Sequence, residues 1–223
     1  MPETPFDALG PLIHEQVIVE ERTFVIGRPS ESDRLFDHPS VRSAFTADEY
    51  MPYWADLWPA ARMLAKAILR EAWTPGQRVL EVGCGLGLPG IAALAMGLHV
   101  TFSDYDATAL RFAADNARRN GFDGFDTLQM DWRYPPENVR VPILLASDLI
   151  YEMRNVAPLV ALIKTMLEPG GVCLVTDQDR VPSHVLRDTL TAEGLPFTTK
   201  IMRAGEPGGR RLKGTLYRIT SSA

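Results

Sequence analysis

The sequence predicts an α/β fold with a doubly wound, mostly parallel seven-stranded sheet that ends in an antiparallel hairpin. Three observations support this prediction. Short apolar runs rich in β-branched residues alternate with Ala- and Leu-rich helical segments, which is typical of a parallel sheet covered by helices. The first run of the main sheet breaks into a glycine-rich turn before its helix, as in nucleotide-binding βα units. The last two runs have no helix between them, so they are expected to pair as a hairpin.

Residues 1–50 are predicted to form a small N-terminal extension, followed by one globular domain over 51–223. The extension is expected to begin with a poorly structured stretch at 1–13. Two short strands at 16–20 and 23–26 are expected around a turn, and a polar segment of loop or short helices is expected at 28–38.

The main sheet and its helices are predicted from hydrophobic patterning along the rest of the chain. Five parallel strands are expected at 78–82, 99–103, 127–130, 143–147 and 172–176. The covering helices are expected at 59–72, 89–96, 107–120, 156–167 and 182–193. The hairpin strands are expected at 197–203 and 214–220. An almost wholly apolar strand such as 143–147 indicates a central position with both faces buried.

Composition and charge exclude several classes of protein. The chain has 23 Lys and Arg against 28 Asp and Glu, so its net charge is −5 and a nucleic-acid partner is not expected. It contains no apolar run long enough for a bilayer and no signal-peptide pattern at its start, which predicts a cytoplasmic protein without membrane contact. Two cysteines and four scattered histidines do not suit a disulfide framework or a metal site, so no metal is expected.

The glycine-rich turn carries Gly83, Gly85 and Gly87 directly after a strand that ends near Glu81. Glycine has no Cβ and lets the backbone turn tightly and approach a ligand. Asp104 ends the next strand, where a carboxylate can accept hydrogen bonds from ribose hydroxyls, and these features alone would fit a dinucleotide. Glu81, however, would repel a pyrophosphate and suits the ammonium and sulfonium groups of S-adenosylmethionine, which favours this cofactor over NAD.

A third acid and an aromatic ring follow the third parallel strand. The Asp131 carboxylate can accept a hydrogen bond from an adenine amino group, and the Trp132 ring can stack on the base. Glu81, Asp104 and Asp131 all fall at carboxyl ends of strands, where open α/β sheets bind ligands, so we expect one shared site.

An aromatic cluster precedes the helix that begins at Pro59, a residue suited to the first helical turn. Tyr53, Trp54 and Trp58 are compatible with the wall of a ligand pocket and equally with packing of an N-terminal segment on the core. The residues alone leave both interpretations open.

These residues resemble the successive motifs of class I, seven-β-strand S-adenosylmethionine-dependent methyltransferases, which have a Rossmann-like sheet. The resemblance is carried by 81–90, Asp104, Asp131 with Trp132, and the segment Asp148-Leu149-Ile150-Tyr151. The segment 52–59, taken with Asp148 and Tyr151, is more narrowly similar to family 16, the protein lysine methyltransferases and their bacterial relatives. The resemblance covers most of the chain, from about residue 50 onward.

The resemblance implies S-adenosylmethionine as cofactor, S-adenosylhomocysteine as product, and a role for each motif residue. The methionine part would contact Glu81, Gly83, Gly85 and Gly87. The ribose would contact Asp104, and the adenine would contact Asp131 and Trp132. Trp58 would border the cofactor on its N-terminal side. Asp148 and Tyr151 would face the methyl acceptor as the catalytic residues.

The leading prediction is a methyltransferase that N-methylates a lysine side chain of a partner protein. An acceptor amine must attack in its neutral form, and burial among aromatic walls would lower its pKa. Asp148 is suited to position such an amine by a charge-assisted hydrogen bond. Two alternatives stay open: a small-molecule amine as acceptor for the same cofactor, and a catalytically silent methyltransferase-fold binding protein.

Overall fold

The fold of the protein is described from a computed structural model, which covers residues 9–37, 39–48, 51–205 and 209–221. Within these ranges, two N-terminal strands form a sheet of their own, and seven strands form the main sheet. The strands are β1 (Leu12–Val19), β2 (Arg22–Pro29), β3 (Arg78–Val82), β4 (His99–Asp104), β5 (Asp126–Gln129), β6 (Val141–Ser147), β7 (Leu167–Asp177), β8 (Phe197–Ala204) and β9 (Leu212–Thr220).

The main sheet has the strand order β5-β4-β3-β6-β7-β9-β8. The five strands from β5 to β7 are parallel, whereas β9 runs antiparallel to both β7 and β8. The predicted doubly wound α/β sheet of seven strands with a C-terminal antiparallel hairpin is therefore confirmed.

Helices cover both faces of the main sheet. The helices are α1 (Asp33–Asp37), α2 (Pro39–Asp48), α3 (Pro59–Leu69), α4 (Leu88–Leu94), α5 (Ala107–Arg119), α6 (Val156–Met166) and α7 (Pro182–Ala192). One hydrophobic cluster joins α3, α4 and α5 to one face of the sheet, and a second joins α6 and α7 to the other face. No helix in the described ranges is long and apolar enough to cross a membrane.

Strand β6 explains why the central strands are continuously apolar. Ile143 and Leu145 belong to the cluster of α3, α4 and α5, whereas Leu144 and Ala146 belong to the cluster of α6 and α7. Successive strand residues point to opposite faces, so a strand with helices on both sides needs apolar residues at every position.

The N-terminal hairpin is longer than the sequence predicted. Strand β1 begins at Leu12, inside the stretch expected to be poorly structured, and residues 1–8 of that stretch lie outside the described residues. Val19 pairs with Arg22, so the turn is formed by Glu20 and Glu21, one residue earlier than expected. The predicted division of the chain at residue 50 also falls outside the described ranges and stays a prediction.

The polar segment predicted as loop or short helices contains the end of β2 and the five-residue helix α1. Position 38, its last residue, lies outside the described ranges, as do 206–208 in the connection of the C-terminal hairpin. Helix α3 ends at Leu69, three residues earlier than expected. Strand β7 begins at Leu167, five residues before the predicted start at 172, because Leu167 pairs with Val141 across a register shift in β6.

Asn116 of α5 and Asn120, the residue that caps its C-terminal end, hold the free edge of β2. The Asn116 amide accepts a hydrogen bond from the Gly27 N–H (2.7 Å) and donates one to the Gly27 carbonyl oxygen (3.1 Å). One helical turn later, Asn120 makes the same pair of bonds to Val25, at 2.9 and 2.8 Å. Side chains four apart on a helix share a face, and so do residues two apart on a strand, so the two amides replace a missing neighbouring strand. Asn116 also donates to the Leu86 carbonyl oxygen (3.0 Å), which joins the hairpin to the glycine-rich turn.

Replacing Asn116 with alanine is expected to destabilise the protein by about 2–4 kcal/mol, because the buried polar groups of Gly27 and Leu86 lose their partners. Asp115→Ala on the same helix removes only an exposed ion pair with Arg118 and should cost about 0.5 kcal/mol or less. Chemical unfolding of both variants measures the difference. Equal losses would show that the Asn116 network contributes nothing specific.

Candidate active site

A cavity of about 530 Å³ opens at the carboxyl ends of the central strands. It lies where β3 has β4 on one side and β6 on the other, which is the topological switch point at which open α/β sheets bind ligands. Nine of the ten predicted site residues line it: Trp58, Gly83, Gly85, Gly87, Asp104, Asp131, Trp132, Asp148 and Tyr151. The tenth, Glu81, does not.

The glycine-rich turn forms one wall of the cavity. Gly83, Gly85 and Gly87 have positive φ angles of 61°, 52° and 82°, in the region that favours glycine. A Cβ on Gly83 would lie 2.5 Å from a methyl carbon of Leu149, and one on Gly87 would lie 2.9 Å from the Cβ of Ala113. The backbone can therefore face the cavity only because these positions carry no side chain.

Glu81 is buried next to the turn and does not line the cavity. Its Oε2 accepts a hydrogen bond from the Gly90 N–H (2.9 Å) in the first turn of α4, and only 1% of the residue is exposed. Its Oε1 has no hydrogen-bond partner among the described residues. Burial raises the pKa of Glu81 well above its usual range, and the Asp104 charge adds to the effect. The geometry gives Glu81 a contact with the start of α4, where free N–H groups and the helix dipole attract an acid.

Asp104 connects the glycine-rich turn to the loop after β4. Its Oδ2 accepts from the Gly85 N–H (2.9 Å) and its Oδ1 from the Asp106 N–H (3.0 Å). Burial raises the pKa of Asp104 to about 6, although both backbone hydrogen bonds oppose this shift. A carboxylate with so few partners in a buried site retains lone pairs for a ligand hydroxyl.

Asp106, which the sequence analysis did not assign to the site, links the aromatic cluster to α5. Its Oδ1 caps the helix by accepting from the Thr108 N–H (2.7 Å), and its Oδ2 accepts from the indole N–H of Trp54 (2.9 Å). An acid two residues before Thr108, at the start of a helical segment, is the pattern of a helix N-cap. This pattern would have identified Asp106.

The loop after β5 brings Asp131 and Trp132 to the same cavity. Both oxygens of Asp131 bind the guanidinium of Arg133, at distances from 2.7 to 3.1 Å. The Arg133 guanidinium also lies 5.5 Å from the centre of the Tyr105 ring, another lining residue. Trp132 is buried and belongs to the cluster of α6 and α7.

Asp148 directly follows β6 and lines the cavity in an unusual backbone conformation. Its φ is 57°, and its N–H is held by the Thr176 carbonyl oxygen (2.9 Å) of β7. Its Oδ2 accepts from the Gln178 amide (2.5 Å) and lies 3.4 Å from an Arg180 nitrogen, whereas Oδ1 has no hydrogen-bond partner among the described residues. Burial raises the pKa of Asp148, and the Arg180 charge and the Gln178 hydrogen bond oppose this effect.

Gln178 and Arg180 were missed by the sequence analysis. Both follow β7, so they come to the same edge of the sheet as the residues after β6. Polar residues directly after a buried apolar strand were the available signal. We refer to the wall formed by Asp148, Tyr151, Glu152, Arg154 and Arg180 as the β6–β7 side of the cavity.

The aromatic cluster has both of the functions that the sequence left open. Trp54 is buried in the core, with its ring centre 5.1 Å from that of Phe112. Tyr53 and Trp58 are half-buried and line the cavity, where the Trp58 indole donates to the Tyr53 carbonyl oxygen (2.7 Å). The Tyr53 ring packs edge-on against Tyr151 at 5.4 Å. Burial raises the pKa of Tyr151, so its hydroxyl is a neutral hydrogen-bond donor near neutral pH.

The fold and the site define a class I methyltransferase. Its cofactor is S-adenosylmethionine, and the residues present fit this molecule: the cavity is within the usual size of a ligand site, its glycine wall lacks side chains, and a buried carboxylate faces it. More narrowly, the chain belongs to the lysine methyltransferase family, whose model matches residues 49–188.

Curated relatives include protein methyltransferases. The chain is 35% identical over 109 residues to a histidine protein methyltransferase 1 homolog of Dictyostelium discoideum, which is 46% of this chain and 35% of the relative. It is 38% identical over 96 residues to a ribosomal protein L11 methyltransferase of Shewanella woodyi, which is 43% of this chain and 31% of the relative. The chain thus spans about a third of the length of these curated relatives.

Solved structures have the same fold at low sequence identity. The ribosomal protein L11 methylase of Lactobacillus delbrueckii subsp. bulgaricus matches with a TM-score of 0.60 at 19% identity, over 73% of this chain and 78% of that one. Pyrococcus horikoshii TYW2 in complex with MeSAdo matches with a TM-score of 0.58 at 15% identity, over 94% of this chain and 72% of that one. At this identity the likeness concerns the fold alone.

Two glycine variants separate backbone strain from loss of space at the turn. Gly87→Ala is expected to destabilise the protein by about 2–4 kcal/mol and to weaken binding of S-adenosylhomocysteine, because the new Cβ meets Ala113 and Phe102. Gly76→Ala has a similar φ of 79° with nothing within 4 Å of its Cβ, so it should cost only about 1 kcal/mol and leave binding intact. Unfolding and calorimetric titration measure both effects. Equal losses in the two variants would contradict the steric explanation.

Proposed function

We propose that the protein transfers a methyl group from S-adenosylmethionine to a side-chain nitrogen of a partner protein, with lysine as the acceptor predicted from the sequence. The observation that carries this proposal is the Asp148 carboxylate, which lines the cavity and has one buried oxygen without a hydrogen-bond partner among the described residues. It lies beside the glycine-rich turn, because β6 pairs directly with β3. Membership of the lysine methyltransferase family supports a protein acceptor. The protein methyltransferases among the relatives support it as well.

We infer the following cofactor contacts. The turn with Gly83, Gly85 and Gly87 presents backbone to the methionine part, and Asp104 accepts hydrogen bonds from the ribose hydroxyls. The adenine lies near Asp131 and Trp132, and Trp58 borders the cofactor. Glu81 acts indirectly, since it holds the start of α4 and so the geometry of the turn. This indirect role replaces the direct contact expected for Glu81 from the sequence.

The reaction requires alignment of the methyl carbon with the lone pair of the acceptor nitrogen, and it needs no covalent intermediate with the protein. S-Adenosylmethionine supplies an electrophilic methyl carbon, to which the acceptor nitrogen donates its lone pair while the carbon–sulfur bond breaks and its electron pair stays on the sulfur of S-adenosylhomocysteine. The rings of Tyr53, Trp58 and Tyr151 exclude water and fix the approach. The Asp148 carboxylate accepts a hydrogen bond from the N–H of the methyl-accepting nitrogen and so orients its lone pair.

A histidine ring nitrogen is a second candidate acceptor. One relative is a histidine protein methyltransferase homolog, and a neutral imidazole has one N–H for a carboxylate and one lone pair for attack. We retain the cytoplasm as the proposed compartment, which the two free cysteines support.

Methyl transfer into a size-fractionated cell lysate tests the proposed function. The protein is first titrated with S-adenosylhomocysteine and then incubated with lysate and methyl-labelled S-adenosylmethionine. Label in the protein fraction, lost in Asp148→Asn while S-adenosylhomocysteine still binds, is the expected result. Label confined to small molecules would replace the protein acceptor with a small amine. Binding without any transfer would favour the catalytically silent alternative.

Cofactor affinity is expected to depend on the protonation of Asp104. The ionised carboxylate accepts the ribose hydroxyls, so affinity should be full above the pKa of about 6 and fall as the pH drops through it. Asp104→Asn should bind S-adenosylhomocysteine about tenfold or more weakly and lose this pH dependence. Calorimetric titration across this pH range measures both. A wild-type affinity that stays constant through about pH 6 would contradict the assignment of Asp104.

A further inference from the structure

Each acid on the β6–β7 side of the cavity has an arginine as its partner. Among the described residues that line this side, Asp148 lies 3.4 Å from Arg180 and Glu152 lies 2.5 Å from Arg154. Because each pair brings one negative and one positive group, the side offers little net charge to a ligand.

Arg180 spans the β6–β7 side from Asp148 to the aromatic cluster. Its guanidinium carbon lies 5.7 Å from the centre of the Trp58 ring, within the range of a cation–π contact. Its side chain is 36% exposed, so it lies at the opening of the cavity rather than in the core. An acceptor that reaches Asp148 therefore passes beside a positive charge.

One oxygen of the Asp148 carboxylate lacks a hydrogen-bond donor. Its Oδ1 is buried and has no hydrogen-bond partner among the described residues, and an unsatisfied buried carboxylate oxygen is costly. Oδ2 is already bound by Gln178 and faces Arg180. Asp177, whose charge raises the pKa of Asp148, is hydrogen-bonded by Ser183 and is not among the cavity-lining residues. The acceptor thus meets one free hydrogen-bond acceptor and one neighbouring cation.

We propose that Arg180 determines acceptor specificity: by pairing with Asp148 it selects an uncharged nitrogen that carries an N–H and excludes a nitrogen held as an ammonium. This inference rests on the proposed function. An uncharged nitrogen donates its N–H to the Asp148 carboxylate and keeps its lone pair for attack, with no repulsion from the guanidinium. An ammonium gains little from a carboxylate whose charge Arg180 already balances, and it has no lone pair. A lysine acceptor therefore enters after losing its proton.

Two probes distinguish these forms without a known acceptor. The protein saturated with S-adenosylhomocysteine is titrated with 4-methylimidazole and with n-butylamine at about pH 8, where the amine is an ammonium and the imidazole is mostly neutral. Binding is followed by the indole N–H signal of Trp58. We expect 4-methylimidazole to bind about tenfold more tightly in the wild-type protein, and n-butylamine to gain about tenfold in Arg180→Gln.

Two further variants serve as controls. Arg180→Lys keeps the positive charge and should keep the wild-type preference. Arg118→Gln removes an exposed arginine on α5 that pairs with Asp115, and it should change nothing. An unchanged preference in Arg180→Gln, or a wild-type protein that prefers the ammonium, would overturn the inference. Failure of the wild-type protein to bind S-adenosylhomocysteine would instead count against the proposed function.

Discussion

The backbone of the glycine-rich turn is the constraint on which the rest of the site depends. This turn and the first turn of α4 leave N–H and carbonyl groups that side chains must satisfy. Side chains from elsewhere bind them: Asp104 accepts from Gly85, Asn116 donates to Leu86, and Glu81 accepts from Gly90. Each of these three side chains is buried and comes from a different element, β4, α5 or β3. The turn is thereby shaped before any ligand arrives, so little conformational entropy is lost on binding.

The acids of the cavity fall into two electrostatic groups. Asp104 accepts hydrogen bonds from the backbone N–H groups of Gly85 and Asp106, and burial raises its pKa. Its remaining lone pairs are available to a neutral hydroxyl ligand. Asp131 and Asp148 instead have arginines as neighbours, which balance their charge and fix the direction of their oxygens. The same residue type thus serves different chemistry because its partners differ.

Sequence reasoning recovered the parts of the protein that local patterns encode. Strands buried on both faces, such as β6, are continuously apolar, and the glycines and the acids at strand ends have recognisable spacing. The direction of the Glu81 side chain was not predictable, because it depends on which face of β3 the helix α4 covers. The docking of β2 by Asn116 depends on residues 89 positions apart, and no local signal in either segment reports it. The observed start of β7 at Leu167 differs from the predicted one for a similar reason, because pairing with the distant strand β6 determines where β7 begins.

The loop after β7 has a consequence for how this protein and its relatives can diverge. Asp179 adopts a positive φ of 56° and is bound by Thr215 of β9, while its neighbours Gln178 and Arg180 both reach Asp148. The glycine-rich turn and Asp104 make none of these contacts. This short loop, anchored to β9 through Asp179, therefore supplies Arg180 to one wall of the cavity. Changes in this short segment can give descendants of one ancestral enzyme new acceptors while the means of holding the methyl donor is inherited intact.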